Sequence, residues 1–183
     1  MPQIMGNKVS MNPAIFASDD NLAMAYGMGL TAEKVAGRWN VSRADQDAFA
    51  LQSHQRAVAA IQSGRFRDEI TPCVVKSYHP GKDGTVAITE RLCEHDEGPR
   101  VDASLEALAK LRPAFAARGS VTAGNSSQMS DGAGAVLLMS AAAVRHYDVQ
   151  PIARFASYAV AGVPPEVMGI GPVEAIPRAL KAA

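Results

Sequence analysis

Apolar positions along this chain follow two periods, and the switches between them predict its elements. The first twenty residues read as loop, with Gly6-Asn7, Asn12-Pro13 and Asp19-Asp20 as turn formers. Leu22 to Trp39 has helical spacing interrupted at Gly27, Gly29 and Thr31, which predicts two short helices, the second capped by Thr31 with Glu33 close behind. Ser42 is the N-cap expected for a long helix. Asp45 and Asp47 stand in its first turn, and Phe49, Ala50, His54, Ala57 and Ile61 recur on one face until Gly64.

Further on the period shortens. Ile70 to Lys76 is rich in β-branched residues and predicts a strand, with Pro72 marking an edge position. A turn over 79–84 would let Thr85 to Arg91 pair back as a hairpin. Ser104 caps a predicted helix that Pro113 ends. Ala133–Met139 and Pro151–Val160 read as core strands joined through a short helix, Ser140 to His146, and Pro172 to Ala182 starts a last helix. Two core strands after a long, mainly helical stretch are not the order of a complete doubly wound domain.

Composition narrows the function classes. Lys plus Arg equals Asp plus Glu at 18 each, so no net field draws the chain to nucleic acid or a membrane. No apolar run reaches spanning length, and the N-terminus lacks the basic start and apolar core of a signal peptide. Cys73 and Cys93 do not make a disulfide framework, so reduced thiols and a cytoplasmic location are expected.

The densest chemistry lies in Ser120 to Ser140. Gly124 permits a close backbone approach, while Asn125, Ser126 and Ser127 offer short hydrogen-bonding groups just before an apolar run. Thr122-Ala-Gly-Asn-Ser-Ser127, followed by Ser130-Asp-Gly-Ala-Gly-Ala-Val136, resembles the central motif of thiolases, which cleave or condense 3-oxoacyl-CoA thioesters. Met28-Gly-Leu-Thr-Ala-Glu-Lys-Val-Ala36, Ser42-Arg-Ala-Asp-Gln-Asp-Ala-Phe-Ala50, Gly64-Arg-Phe-Arg-Asp-Glu-Ile70, Leu108-Ala-Lys-Leu-Arg-Pro-Ala-Phe115 and Val167-Met-Gly-Ile-Gly-Pro172 are similar to thiolase segments in the same order. Several collinear motifs carry far more weight than any one of them.

The resemblance implies an α/β, partial thiolase fold. On that plan, 1–118 corresponds to the loop domain, 119–147 to the end of the first βαβαβαββ half, and 148–183 to the start of the second. It also implies an acyltransferase that uses CoA and acyl-CoA as substrates, needs no further cofactor, and forms a homo-oligomer when complete. The family's nucleophilic cysteine, its Asn-Glu-Ala asparagine, its Gly-His-Pro histidine and its second cysteine have no counterpart here, so no catalytic residue is carried over.

Cys73 reads as a small buried thiol in a strand rather than a nucleophile. Cys93-Glu-His-Asp-Glu97 holds metal-ligand types, but no second ligand pair stands at a closing distance, and no metal site is expected. His79 reads as a turn residue and His146 as part of the link between the core strands. By motif alignment, Ser127 and Ala123 would contact the pantetheine amides, Phe115 and Met28 would line the channel, and Arg100 would lie near the nucleotide phosphates. For Arg100 an ion pair with Asp96 or Glu97 is an open alternative, and for Phe115 and Met28 it is core packing. Gly27 stands where some thiolases carry a histidine. Three functions follow: a thiolase segment inactive alone, a non-catalytic acyl-CoA-binding module, or an interaction piece whose bare strand edges seek a partner.

Overall fold

The computed structural model describes residues 12–81 and 84–183, with Asp19 and Asp20 as backbone only. The turn formers Gly6-Asn7 and the pair Lys82-Asp83 lie outside the described residues. The chain divides into two compact units: residues 1–42, 113–122 and 127–183 form one, and residues 43–112 and 123–126 the other.

In the first unit, a 3-10 turn (Pro13–Phe16) leads into α1 (Asp19–Leu22), a second 3-10 turn (Ala23–Ala25) and α2 (Met28–Trp39). The second predicted helix exists but starts at Met28, three residues before the expected cap. Thr31 is buried inside it, and its hydroxyl donates to the Met28 carbonyl at 2.7 Å. A threonine that back-bonds to the preceding turn satisfies itself within the helix and does not have to end it. Asn40 closes α2 in the left-handed region, φ 53°, and the Val41 N–H returns to the Ala36 carbonyl at 2.9 Å. The 3-10 segment Pro165–Ile170 packs on α2 and carries Val167, which is almost wholly buried.

The second unit holds α3 (Arg43–Gln62), which begins directly after Ser42 as predicted. Gly64, at φ 71°, ends that run with the Arg65 N–H bonded to the Ala60 carbonyl at 3.0 Å. Ala50, Leu51, His54, Ala57, Val58 and Ile61 are half-buried, but Phe49 is exposed. The expected stripe is therefore corrected by one position, and its fully buried member is Asp47.

The predicted hairpin is present. β1 (Cys73–Pro80) pairs antiparallel with β2 (Val86–Cys93), from Cys73 opposite Cys93 to Pro80 opposite Val86. β1 starts three residues later than expected, beyond Pro72, which has no N–H for a ladder. His79 belongs to the strand and not the turn, and its Nε2 lies 3.1 Å from the Thr89 hydroxyl. α4 (Leu105–Ala109) follows Ser104, whose hydroxyl oxygen accepts from the Ala107 N–H at 3.1 Å.

Back in the first unit, the same cap at Ser140 opens α5 (Ala141–His146), and α6 (Gly171–Ala182) closes the chain. The two expected core strands are not formed. Residues 133–139 and 151–160 carry no regular secondary structure, and β1–β2 is the one sheet among the described residues. A strand exists through its ladder partners, and these segments have none here.

Candidate functional site

The first unit builds one wall of the candidate site on α2. Met28 opens the helix and is exposed. At the next residue the ring of Phe115 lies so close to the Gly29 backbone that a Cβ there would fall inside it. Phe115 is thus fixed beside the Met28 end of α2, and it remains 44% exposed.

One turn further on, the Glu33 carboxylate accepts from the Ser120 N–H at 2.9 and 3.0 Å and from the Val121 N–H at 2.9 Å. The Ser120 hydroxyl adds a third donor at 3.3 Å. Gly119 is required for this approach, because a Cβ there would collide with the same carboxylate. The Ala114 N–H also donates to the Val121 carbonyl at 2.9 Å. Val121 and Thr122 are consequently buried, which fixes the start of the motif loop. Ser127, at the loop's far end, is exposed, with its hydroxyl donating to the Gln128 carbonyl at 3.1 Å.

The middle of the loop is held by the second unit's own polar core. The Asn125 side-chain amide donates to one oxygen of Asp47 at 2.9 Å. The other oxygen accepts from Arg43 Nε at 2.7 Å. Arg43 Nη2 in turn donates to the carbonyls of Leu108 and Leu111, at 2.6 and 3.0 Å. Asp47 is only 4% exposed, so its charge is tolerated because Arg43 and Asn125 satisfy both of its oxygens. Ala123 stands exposed on the loop held this way.

Arg100 belongs to the same unit. Its backbone N–H donates to His54 Nδ1 at 3.1 Å, which requires that ring nitrogen to be unprotonated. The two alternatives offered for its guanidinium are both occupied elsewhere. Glu97 is paired with Arg91, and Asp96 accepts from the Gly98 N–H at 2.9 Å. Among the described residues Arg100 makes no ion pair, so its exposed cation is available to solvent or an anion.

The structure therefore joins Phe115 to the Met28 end of α2, and places Ala123 and Arg100 in the second unit. Glu33, Arg43 and Asp47 are the residues that sequence reasoning missed as site builders. Glu33 and Asp47 carry local roles in the sequence pattern and Arg43 carries none, and their partners across 65 to 88 positions show the longer-range ones. No group of three or more His, Cys, Asp or Glu side chains converges on a metal position among the described residues. No described helix is long and apolar enough to cross a membrane.

The loop anchored in this way coincides with a family match. Residues 5–142 match the family described as Thiolase, N-terminal domain. The chain belongs to the thiolase family. It is 51% identical over 170 residues to the 3-ketoacyl-CoA thiolase of Bacillus subtilis, covering 89% of this chain and 44% of that protein. Against the acetyl-CoA acetyltransferase of Pseudomonas aeruginosa it is 54% identical over 156 residues, covering 85% of this chain and 37% of the relative. Among solved structures, the dimeric peroxisomal thiolase of Saccharomyces cerevisiae superposes with TM-score 0.80 at 37% identity, over 97% of this chain and 42% of that one. Human mitochondrial 3-ketoacyl-CoA thiolase gives 0.76 at 39% identity, over 97% and 42%. The chain spans less than half the length of these relatives, and its fold is a partial thiolase fold.

Proposed function

We propose that this chain supplies the CoA-holding part of a thiolase-type acyltransferase, which interconverts 3-oxoacyl-CoA plus CoA with acyl-CoA plus acetyl-CoA. Ser127 and Ala123 contact the pantetheine amides, Met28 and Phe115 line the arm's channel, and Arg100 faces the nucleotide phosphates. CoA and acyl-CoA are substrates, no other cofactor or metal takes part, and the working assembly is a homo-oligomer. The division into 1–118, 119–147 and 148–183, a role in lipid degradation and a cytoplasmic location belong to the same reading.

The observation that carries it is the anchoring of the motif loop. Glu33 holds Ser120 and Val121, and Asp47 holds Asn125, so the loop's polar groups are ordered before any ligand arrives. The residues 1–183 contain no counterpart of the family's cysteine, histidine and second cysteine, and these residues alone are therefore inactive in acetyl transfer.

Isothermal titration with CoA tests the binding part. Saturable heat is expected, and it should disappear when Ser127 is replaced by tryptophan. Absence of heat at millimolar CoA would refute it. Acetyl transfer by this polypeptide at the rate of a whole thiolase would refute the claim of inactivity.

One observation favours a second reading, a non-catalytic interaction module: the apolar side chains of 136–138 and 152–160 are largely exposed. A compact, non-associating monomer would count against it.

A further inference from the structure

The two ends of the β1–β2 hairpin differ. At the turn end the Gly81 N–H donates to the Thr85 carbonyl at 2.8 Å. At the open end the last register pair is Cys73 opposite Cys93, both free thiols; Cys73 is exposed, not buried as its apolar sequence neighbours suggest, and Cys93 is half-buried. Hydrogen-bonded and non-hydrogen-bonded pairs alternate along an antiparallel ladder, and the register is one-to-one throughout. Counted from Gly81–Thr85, the cysteines occupy a hydrogen-bonded pair, where Cα atoms stand about 5.5 Å apart. Disulfides form at Cα separations of about 4.4–6.8 Å, but they also need Cβ atoms about 3.5–4.5 Å apart. At a hydrogen-bonded pair these stand about 5.5 Å apart, so the bond has to draw the strand ends together and is of the strained, readily reduced kind.

Directly opposed residues project to the same face, so both thiols share one side of the ribbon with Val75 and Arg91. Arg91 is fixed by its ion pair with Glu97. Its pKa is raised above the ordinary value, first by the hydrogen bond to Glu97 and then by the charges of Cys93 and Glu97. Inert structural cysteines are buried in apolar surroundings, and neither of these is.

We infer that Cys73 and Cys93 are a reversible cross-strand dithiol–disulfide pair, oxidised by small-molecule disulfides of the glutathione type. The exposed Cys73 thiolate attacks one sulfur of the reagent, whose S–S bond breaks and releases one reagent thiolate. The Cys93 thiolate then attacks the Cys73 sulfur of the mixed disulfide, and the second reagent thiolate leaves. Both cysteine protons end on the released thiols. The protein pair loses two electrons and the reagent gains two. The new bond staples the open end of a two-stranded hairpin, a structure that is marginal on its own.

The test equilibrates the whole chain in mixtures of reduced and oxidised glutathione, quenches with acid, alkylates and maps the peptides by mass spectrometry. A Cys73–Cys93 cross-linked peptide is expected in the monomer. Cys73→Ser should abolish it and leave Cys93 reduced or carrying glutathione. The same titration in concentrated urea should give a cross-linking constant at least about tenfold smaller, because the unfolded chain must close the loop unaided. Mixed glutathione adducts without the cross-link, intermolecular disulfides only, or an equal constant in urea and in buffer would each overturn the inference.

Discussion

At the scale of single residues, two carboxylates hold the motif loop, and each can be removed to measure what it does. Glu33 accepts two backbone N–H groups and a hydroxyl from the segment that enters the loop. Hydrogen bonds to a charged acceptor are worth about 1.5–3 kcal/mol. Glu33→Ala should therefore raise amide hydrogen exchange at Ser120 and Val121 by about tenfold to a hundredfold, read by NMR or mass spectrometry. Glu33→Gln keeps an acceptor and should fall between.

Asp47 is the stronger case because it is buried and its loss leaves Arg43 unpaired. Removing one partner of a buried pair costs about 3–5 kcal/mol, and the partial exposure of Arg43 puts this pair at the lower end, about 3 kcal/mol. Asp47→Ala should lower the urea midpoint of the second unit accordingly. Arg43→Lys should also destabilise, though less, because a lysine keeps the charge but cannot reach Asp47 and two carbonyls from one planar group.

At the scale of elements, the helix boundaries that rest on local chemistry were legible in the sequence. Ser104 caps its helix as predicted, Ser140 caps a helix expected to include it, and Gly64 stops the α3 run through its left-handed backbone. Ser104→Ala should therefore cost about 1 kcal/mol, the usual worth of such a cap, visible as faster exchange of the Ala107 amide. The misreadings have one physical origin. Thr31 reads as a cap because a cap and a back-bonded threonine present the same residue type, and only the partner, the Met28 carbonyl, distinguishes them. Asp47 reads as a first-turn acid because one of its partners, Asn125, lies 78 positions away. The apolar runs 133–139 and 151–160 report burial in a sheet, but hydrophobicity does not say which strands supply the ladder. Motif chemistry and caps are local and were readable; polar pairs between distant segments, which position the candidate site, were not.

At the scale of the whole molecule, the amount of exposed surface decides what the chain should do in solution. Two apolar runs of the first unit are exposed and contiguous in sequence. Val136, Leu137 and Leu138 are each about four-fifths exposed, and Ile152, Phe155, Tyr158 and Val160 continue the pattern on the second run. Both runs lack ladder partners among the described residues, so unpaired N–H and C=O groups accompany the apolar side chains. Burial of such surface is favourable at about 25 cal/mol per Å², which makes association with any complementary face strongly downhill. The polypeptide by itself is expected to sediment as concentration-dependent oligomers and to bind hydrophobic dyes. Leu137→Lys together with Phe155→Lys should shift it toward monomer, while leaving the Asn125–Asp47–Arg43 network and the hairpin untouched. Sedimentation velocity across a tenfold concentration range separates the outcomes. A single monomer peak for the unaltered chain would mean that these runs find cover within the chain, and the interaction reading would then lose the observation that favours it.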